Sequence, residues 1–289
     1  MNSGGLKEID VAATLGIVGG HAEKELAVLE GVTEADQAKV RELLKEGFCT
    51  CKLIENVATL YIVVELTAGE HTSLVELQKT HKNITRMEKD GVSVLEETEK
   101  PEEVLQHNGD RSLLTVKNII EFANAVDLAE VEPILDAQIK CNMAICQEGL
   151  DHPYGAEVGR VLLDENNTPT VGLRARAYAA AGSDARMNGC PMPVVINSGS
   201  GNQGITVSVP VVIYAQEWKT GREKLLRALV VANLIAVHQK KYIGSLSAYC
   251  GVVSAACGIC YLLDYPHSVL CGTIPNTIAT VCGLLTMRS

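Results

Sequence analysis

The sequence predicts an α+β protein, predominantly helical: a large helical core domain with a small inserted antiparallel-sheet subdomain. Two shifts of pattern predict it. From Ser112 onward apolar residues recur at helical spacing almost without a break. Between Thr59 and Glu96 the period drops to two, and β-branched runs are parted by turn residues. Composition agrees: 47% of the residues are hydrophobic but only 4% aromatic, with 25 glycines. Such a core of Ala, Val, Leu, Ile and Cys suits closely packed helices. The expected domains are 1–31 together with 101–289, helical, and 32–100, a small α+β unit.

The elements follow in order. Ile9-Asp-Val-Ala-Ala-Thr-Leu-Gly is apolar at helical spacing, Gly19-Gly20 breaks it, and His21 to Leu29 resumes, so a helical hairpin is expected. Thr33 with Asp36 three residues on gives a cap and an acidic first turn for a helix to about Glu46, which Gly47 ends. Strands are expected at 59–67, 71–79, 84–89 and 92–96, with turns at Gly69-Glu70 and Asp90-Gly91. Residues 96–103 form a charged linker. Helices are then expected over 112–126, 128–149, 154–164, 170–187, 203–218, 220–241, 243–263 and 275–286. Asp127 and Thr220 serve as caps, and Pro153 and Pro169 sit at a first turn or an edge.

Charge and cysteine usage bound the function. A net charge of −10 argues against nucleic acid, whose binders carry basic patches. Ten cysteines without a leading signal peptide suit a reducing cytoplasm, with buried thiols of which some are candidate metal ligands. Two uncharged runs, 245–263 and 268–286, approach membrane-spanning length, but both are rich in Ser, Gly, Ala, Cys and Thr. They read as central helices of the core, so no membrane partner is expected. Homo-oligomer formation stays open.

Candidate chemistry centres on Ser183 to Gly204. From Asn197 the chain runs Asn-Ser-Gly-Ser-Gly-Asn-Gln-Gly, and an apolar helical run follows at once. A glycine-rich turn opening a helix aims free N–H groups and the positive end of the helix dipole at one spot. The spacing is neither a dinucleotide fingerprint nor a P-loop, so a small carboxylate is the expected ligand. A plain linker or helix cap is the bland alternative. The candidate substrate-binding residues are Ser183, Arg186, Asn197, Ser198, Gly199, Ser200, Gly201, Asn202 and Gln203. Arg186 suits bidentate pairing with a carboxylate, or else an ion pair with Asp184. His81 is a candidate catalytic base, with Asn83 as part of the same polar wall. A solvated strand-edge histidine is the alternative. For His238 a place on a helix face is expected, and for Tyr154 packing.

The string at 197–205, with Ser183-Asp-Ala-Arg-Met just upstream, resembles the L-cysteine desulfidase family. That family is related to the catalytic alpha chain of iron–sulfur L-serine dehydratases. EGLDHPYGAEVGRVLL (148–163), HKNI (81–84), HQKKYIGSLSAYCG (238–251) and VAATLGIVGG (11–20) fit it too, so the likeness covers nearly the whole chain. The resemblance implies α,β-elimination from a small amino acid without pyridoxal phosphate, with a [4Fe–4S] cluster as Lewis acid. L-cysteine would give sulfide, pyruvate and ammonia. By position, Cys250 in SAYCG matches the first cluster ligand.

The match also has departures. The family's next cluster cysteine falls at Thr286, with Cys282 one turn earlier, and its third has no counterpart. Nor does the N-terminal cysteine proposed as the family's base. Two expectations therefore stand side by side: an eliminating lyase, or a fragmentary or inactive relative that keeps the fold and an amino-acid pocket, with the cluster absent. A zinc site is the weaker metal reading, since Cys257 and Cys260 form one C-x-x-C without a nearby second pair.

Overall fold

The computed structural model describes residues 4–57, 60–79, 83–95, 110–165, 168–243 and 250–286, with backbone alone at 25–27, 243 and 281–286. It is predominantly helical α+β, as expected, and divides into two compact units, Met1–Gly109 and Asp110–Ser289.

The first unit begins with α1 (Ile9–Gly19), a 3-10 turn (Ala22–Ala27) and α2 (Glu34–Lys45). Thr33 starts α2 through a reciprocal box: its hydroxyl accepts from Asp36 N–H at 3.3 Å and the Asp36 carboxylate accepts from Thr33 N–H at 2.9 Å. α1 packs on α2 around buried Val11, Leu15, Val32 and Val40. By contacts α1 belongs with α2 in the first unit. The reason is the apolar stripe of α1, which finds its partner one hairpin away.

The sheet is an antiparallel meander of β1 (Tyr61–Ala68), β2 (His71–Gln78), β3 (Ile84–Lys89) and β4 (Val92–Ser93), in that order. Its turns are those the sequence marks: Gly69 has φ 63°, and Asp90 and Gly91 have φ 51° and 77°. Register puts Ile62, Leu77 and Ile84 in one row and Val64, Val75 and Met87 in the next, on one face. A bulge between Glu76 and Leu77 shifts the β2–β3 pairing.

The second unit opens with a 3-10 turn (Arg111–Leu113). Then follow α3 (Val116–Ala125), α4 (Leu128–Asp151), α5 (Val158–Asp164), α6 (Val171–Met187), α7 (Gly201–Glu217), α8 (Arg222–Ile243), α9 (Cys250–Leu262) and α10 (His267–Thr286). Its centre is α7, whose Ile205, Val207, Val209, Val211, Val212, Ile213 and Ala215 are all buried. One side of that helix meets α8 and α9, and the other meets α4 and α6.

Three details differ from the sequence expectation. The Thr220 hydroxyl donates to Ala215 O at 3.4 Å, so it closes α7 instead of capping α8, with Lys219 at φ 51° making the stop. α5 starts at Val158, because Glu157 takes φ 53°. α10 runs unbroken through Pro275 from His267. No helix among the described residues is long and apolar enough to cross a membrane.

Candidate functional site

The glycine-rich stretch folds as a two-residue turn joined to a helix start. Ser198 and Gly199 both have positive φ, 49° and 83°. Asn197 and Ser200 exchange both backbone hydrogen bonds across them, at 3.1 and 3.0 Å. Ser200 then caps α7, its hydroxyl accepting from Gln203 N–H at 3.3 Å, while Ser200 O accepts from Gly204 N–H at 3.0 Å. Four amides of the stretch are thus satisfied internally. Those of Ser198, Gly199, Gly201 and Asn202 take no acceptor among the described residues, so half of the expected anion-seeking donors stay open.

Arg186 stands beside those donors. Its Nη1 donates to Asn202 Oδ1 at 3.1 Å and contacts Met187 Sδ at 3.5 Å. The guanidinium lies across Gly201: a β-carbon there would come within 2.8 Å of Arg186 Cζ, so glycine is required for the close approach. The expected alternative, an ion pair with Asp184, does not form. The Asp184 carboxylate instead accepts from Val158 N–H at 3.1 Å, and Arg186 has no carboxylate partner among the described residues. Ser183 lies on α6 and is half-buried. Arg186 thus adds a positive charge to the positive end of a 17-residue helix, an arrangement suited to a carboxylate.

Below the turn, Asn197 and Gln203 join a chain of amides whose other members, Gln138, Asn142 and Asn233, the sequence reading did not single out. Asn197 Nδ2 donates to Asn233 Oδ1 at 2.9 Å. Asn233 Nδ2 donates to Gln138 Oε1 at 2.8 Å and to Leu229 O at 2.9 Å. Asn197 Oδ1 accepts from the Ser198 hydroxyl at 2.8 Å and from Gln203 Nε2 at 3.1 Å. One turn along α4 from Gln138, Asn142 accepts from Val195 N–H at 2.9 Å and donates to Val195 O and Ser208 Oγ, both at 3.1 Å. Gln138, Asn142, Asn197, Gln203 and Ser208 are each under a tenth exposed. A signal existed: Gln138 and Asn142 fall four apart in the apolar stripe of α4, where polar side chains need partners.

Cys250 is fully buried and opens α9. The next residue brings that helix end against α7: a β-carbon at Gly251 would meet Thr206 Cβ at 2.9 Å and Gln203 O at 3.6 Å. The start of α9, with Cys250, therefore lies beside the first turn of α7. The other thiols of α9 engage α10. Cys257 Sγ donates to Leu270 O at 4.0 Å, and Cys260 Sγ contacts Thr273 Oγ1 at 3.3 Å. Burial pushes the Cys257 thiol up to about 12. No three His, Cys, Asp or Glu side chains converge on a metal position among the described residues. These residues do not by themselves fit a [4Fe–4S] cluster.

His81 lies outside the described residues. Asn83 sits at the start of β3, where Nδ2 donates to Gln78 O at 2.8 Å and its carbonyl accepts from Gln78 N–H at 3.0 Å, closing the β2–β3 hairpin. Tyr154 donates to Glu148 Oε1 at 3.0 Å, and burial first, then Glu148, raises its hydroxyl to about 12. His238 packs edge-on against Tyr242, and burial lowers its pKa. A cleft of about 410 Å³, lined by Leu113, Leu114, Asn118, Ile119, Phe122 and Leu234, contains none of the residues of the turn.

The second unit is thus a helical unit in which a glycine-rich turn, Arg186 and a buried cysteine meet near the start of one helix. The profile of the serine dehydratase alpha chain matches residues 23–285, and the chain belongs to that family. The family is generally iron–sulfur dependent. The chain is 50% identical over 284 residues to a UPF0597 protein of Lachnoclostridium phytofermentans, covering 97% of this chain and 67% of that one. UPF0597 proteins of Treponema denticola and Desulfitobacterium hafniense are each 42% identical, covering 98% of this chain and 68% and 66% of theirs. The chain thus spans about two thirds of the length of these relatives. None of the solved structures matches it.

Proposed function

We propose that the chain takes part in α,β-elimination from a small amino acid, as an L-cysteine desulfidase or a related L-serine dehydratase of the cytoplasm. One observation carries the reading: Arg186, free of any carboxylate among the described residues, lies across Gly201 at the start of α7, beside the open amides of Ser198, Gly199, Gly201 and Asn202. The substrate carboxylate would bridge the guanidinium and these amides. Elimination removes the α-proton and expels the β-substituent as thiolate or hydroxide. The 2-aminoacrylate so formed becomes an imine that water hydrolyses to pyruvate and ammonia. The pocket's own part is to hold the carboxylate and fix the α-carbon. Cys250 is the proposed cluster ligand. The described residues do not complete a donor set for a cluster.

That same shortfall favours a second reading, an amino-acid-binding relative without turnover. Anaerobic reconstitution with iron and sulfide, followed by sulfide and pyruvate assays, separates the two. Turnover of L-cysteine or L-serine supports the lyase. Calorimetric binding of either without turnover supports the binding relative, and no binding at all removes both.

A further inference from the structure

Gln203 occupies the first turn of α7 and is 6% exposed, yet its Oε1 is buried and has no hydrogen-bond partner among the described residues. An unmet buried acceptor is uncommon in a folded chain and calls for an explanation. The neighbours fix which way this amide points. Asn233 is oriented by its donation to Leu229 O and Gln138 Oε1, which leaves Asn233 Oδ1 to accept from Asn197 Nδ2. Asn197 Oδ1 must then accept, and it takes the Ser198 hydroxyl and Gln203 Nε2. Turning the Gln203 amide over would set oxygen against oxygen and leave Nε2 without an acceptor. The network therefore holds Gln203 with a bare acceptor at the same helix end that offers open N–H groups and Arg186.

We infer that Gln203 Oε1 is the acceptor for the α-ammonium group of the bound ligand, making Gln203 the residue that selects amino acids over carboxylates lacking an amine. The inference rests on the carboxylate reading above and adds the second pole of the zwitterion. Donors that seek an anion and an acceptor that seeks N–H stand within one turn of helix, as the two charged groups of an α-amino acid stand on one carbon. Since the oxygen is closed to solvent, binding also requires side chains over the first turn of α7 to shift.

Calorimetry on the full chain tests this with two ligands, L-serine and 3-hydroxypropanoate, which differ only in the amine. The wild-type chain should bind L-serine at least tenfold more tightly. Gln203→Leu, and Gln203→Met as the less disruptive variant, should remove the difference in affinity between L-serine and 3-hydroxypropanoate. Equal binding of the two ligands by the wild-type chain overturns the inference and leaves the carboxylate reading standing. So does a serine preference that survives in either variant folded as judged by circular dichroism. Failure of both ligands to bind the wild-type chain removes the carboxylate reading and this inference with it.

Discussion

The two units satisfy their polar groups in opposite ways. In the sheet of the first, the partners are near in sequence. Glu76 accepts from Thr85 at 2.6 Å, Gln78 at 2.7 Å and Tyr61 at 2.8 Å, and none of these is more than 15 residues away. The Asp90 carboxylate accepts from Thr72 N–H across its own hairpin at 2.9 Å. In the second, buried amides join residues far apart: Gln138 and Asn233 are separated by 95 positions, Asn142 and Ser208 by 66. Local bonds at half-exposed positions compete with water and contribute modestly. Buried distant ones fix how helices sit, and they are costly to leave unmade. The difference explains why the candidate site lies in the second unit: a binding constellation needs groups held by elements that cannot drift apart.

Breaking the comparison at its strongest point gives the largest expected effect. Asn142→Ala leaves both main-chain groups of Val195 without their partner and should destabilise the protein by about 2–4 kcal/mol, read by denaturant unfolding. Ligand binding should weaken with it, because Val195 leads into the turn. If stability stays within about 0.5 kcal/mol of wild type, buried amides do not organise this unit as described.

Arg186→Lys comes next. It keeps the charge but loses the planar fork, and should lower affinity for L-serine about tenfold or more with little change in stability. Unchanged affinity in a calorimetric titration would take Arg186 out of the site.

The same exercise in the first unit should give less. Thr33→Ala removes the hydroxyl that accepts from Asp36 N–H and should cost about 1 kcal/mol, seen as faster hydrogen exchange in α2. Amino-acid affinity should not move.

The smallest effect concerns acid. Hydrogen bonds from Thr85, Gln78 and Tyr61, in that order, hold the Glu76 carboxyl below its ordinary 4.5. A depressed folded value means that this stabilisation is complete above about pH 4.5 and fades as pH falls through the folded value. Hydrogen exchange at β1–β3 amides, corrected for intrinsic rates, should show protection declining in that window, and Glu76→Gln should flatten the decline.

How far the sequence carried the reading follows the same division. Thr33, the Asp90-Gly91 turn, the alternating strands and Ser200 ahead of an apolar helix are visible because cap and turn chemistry act within a few residues. Thr220 misled because a hydroxyl near a helix start can equally close the helix before it. The last helix was expected from Pro275, eight residues late, because proline is common in a first helical turn and here stands inside the helix. Within the site, Ser198, Gly199 and Ser200 were legible as a turn. That Gln138, Asn142 and Asn233 hold it from below was not, since each belongs to a helix chosen by packing.

The residue pattern alone determined that a glycine-rich turn would open a buried helix and leave amides at its start, because φ preferences and helix-end donors are properties of neighbouring residues. Only the tertiary structure decided that Arg186 turns from Asp184 toward Gly201, that Cys250 arrives beside the first turn of α7, and that the Gln203 oxygen is left bare. Those outcomes depend on which helices touch, and that is set by burying apolar surface over the whole chain.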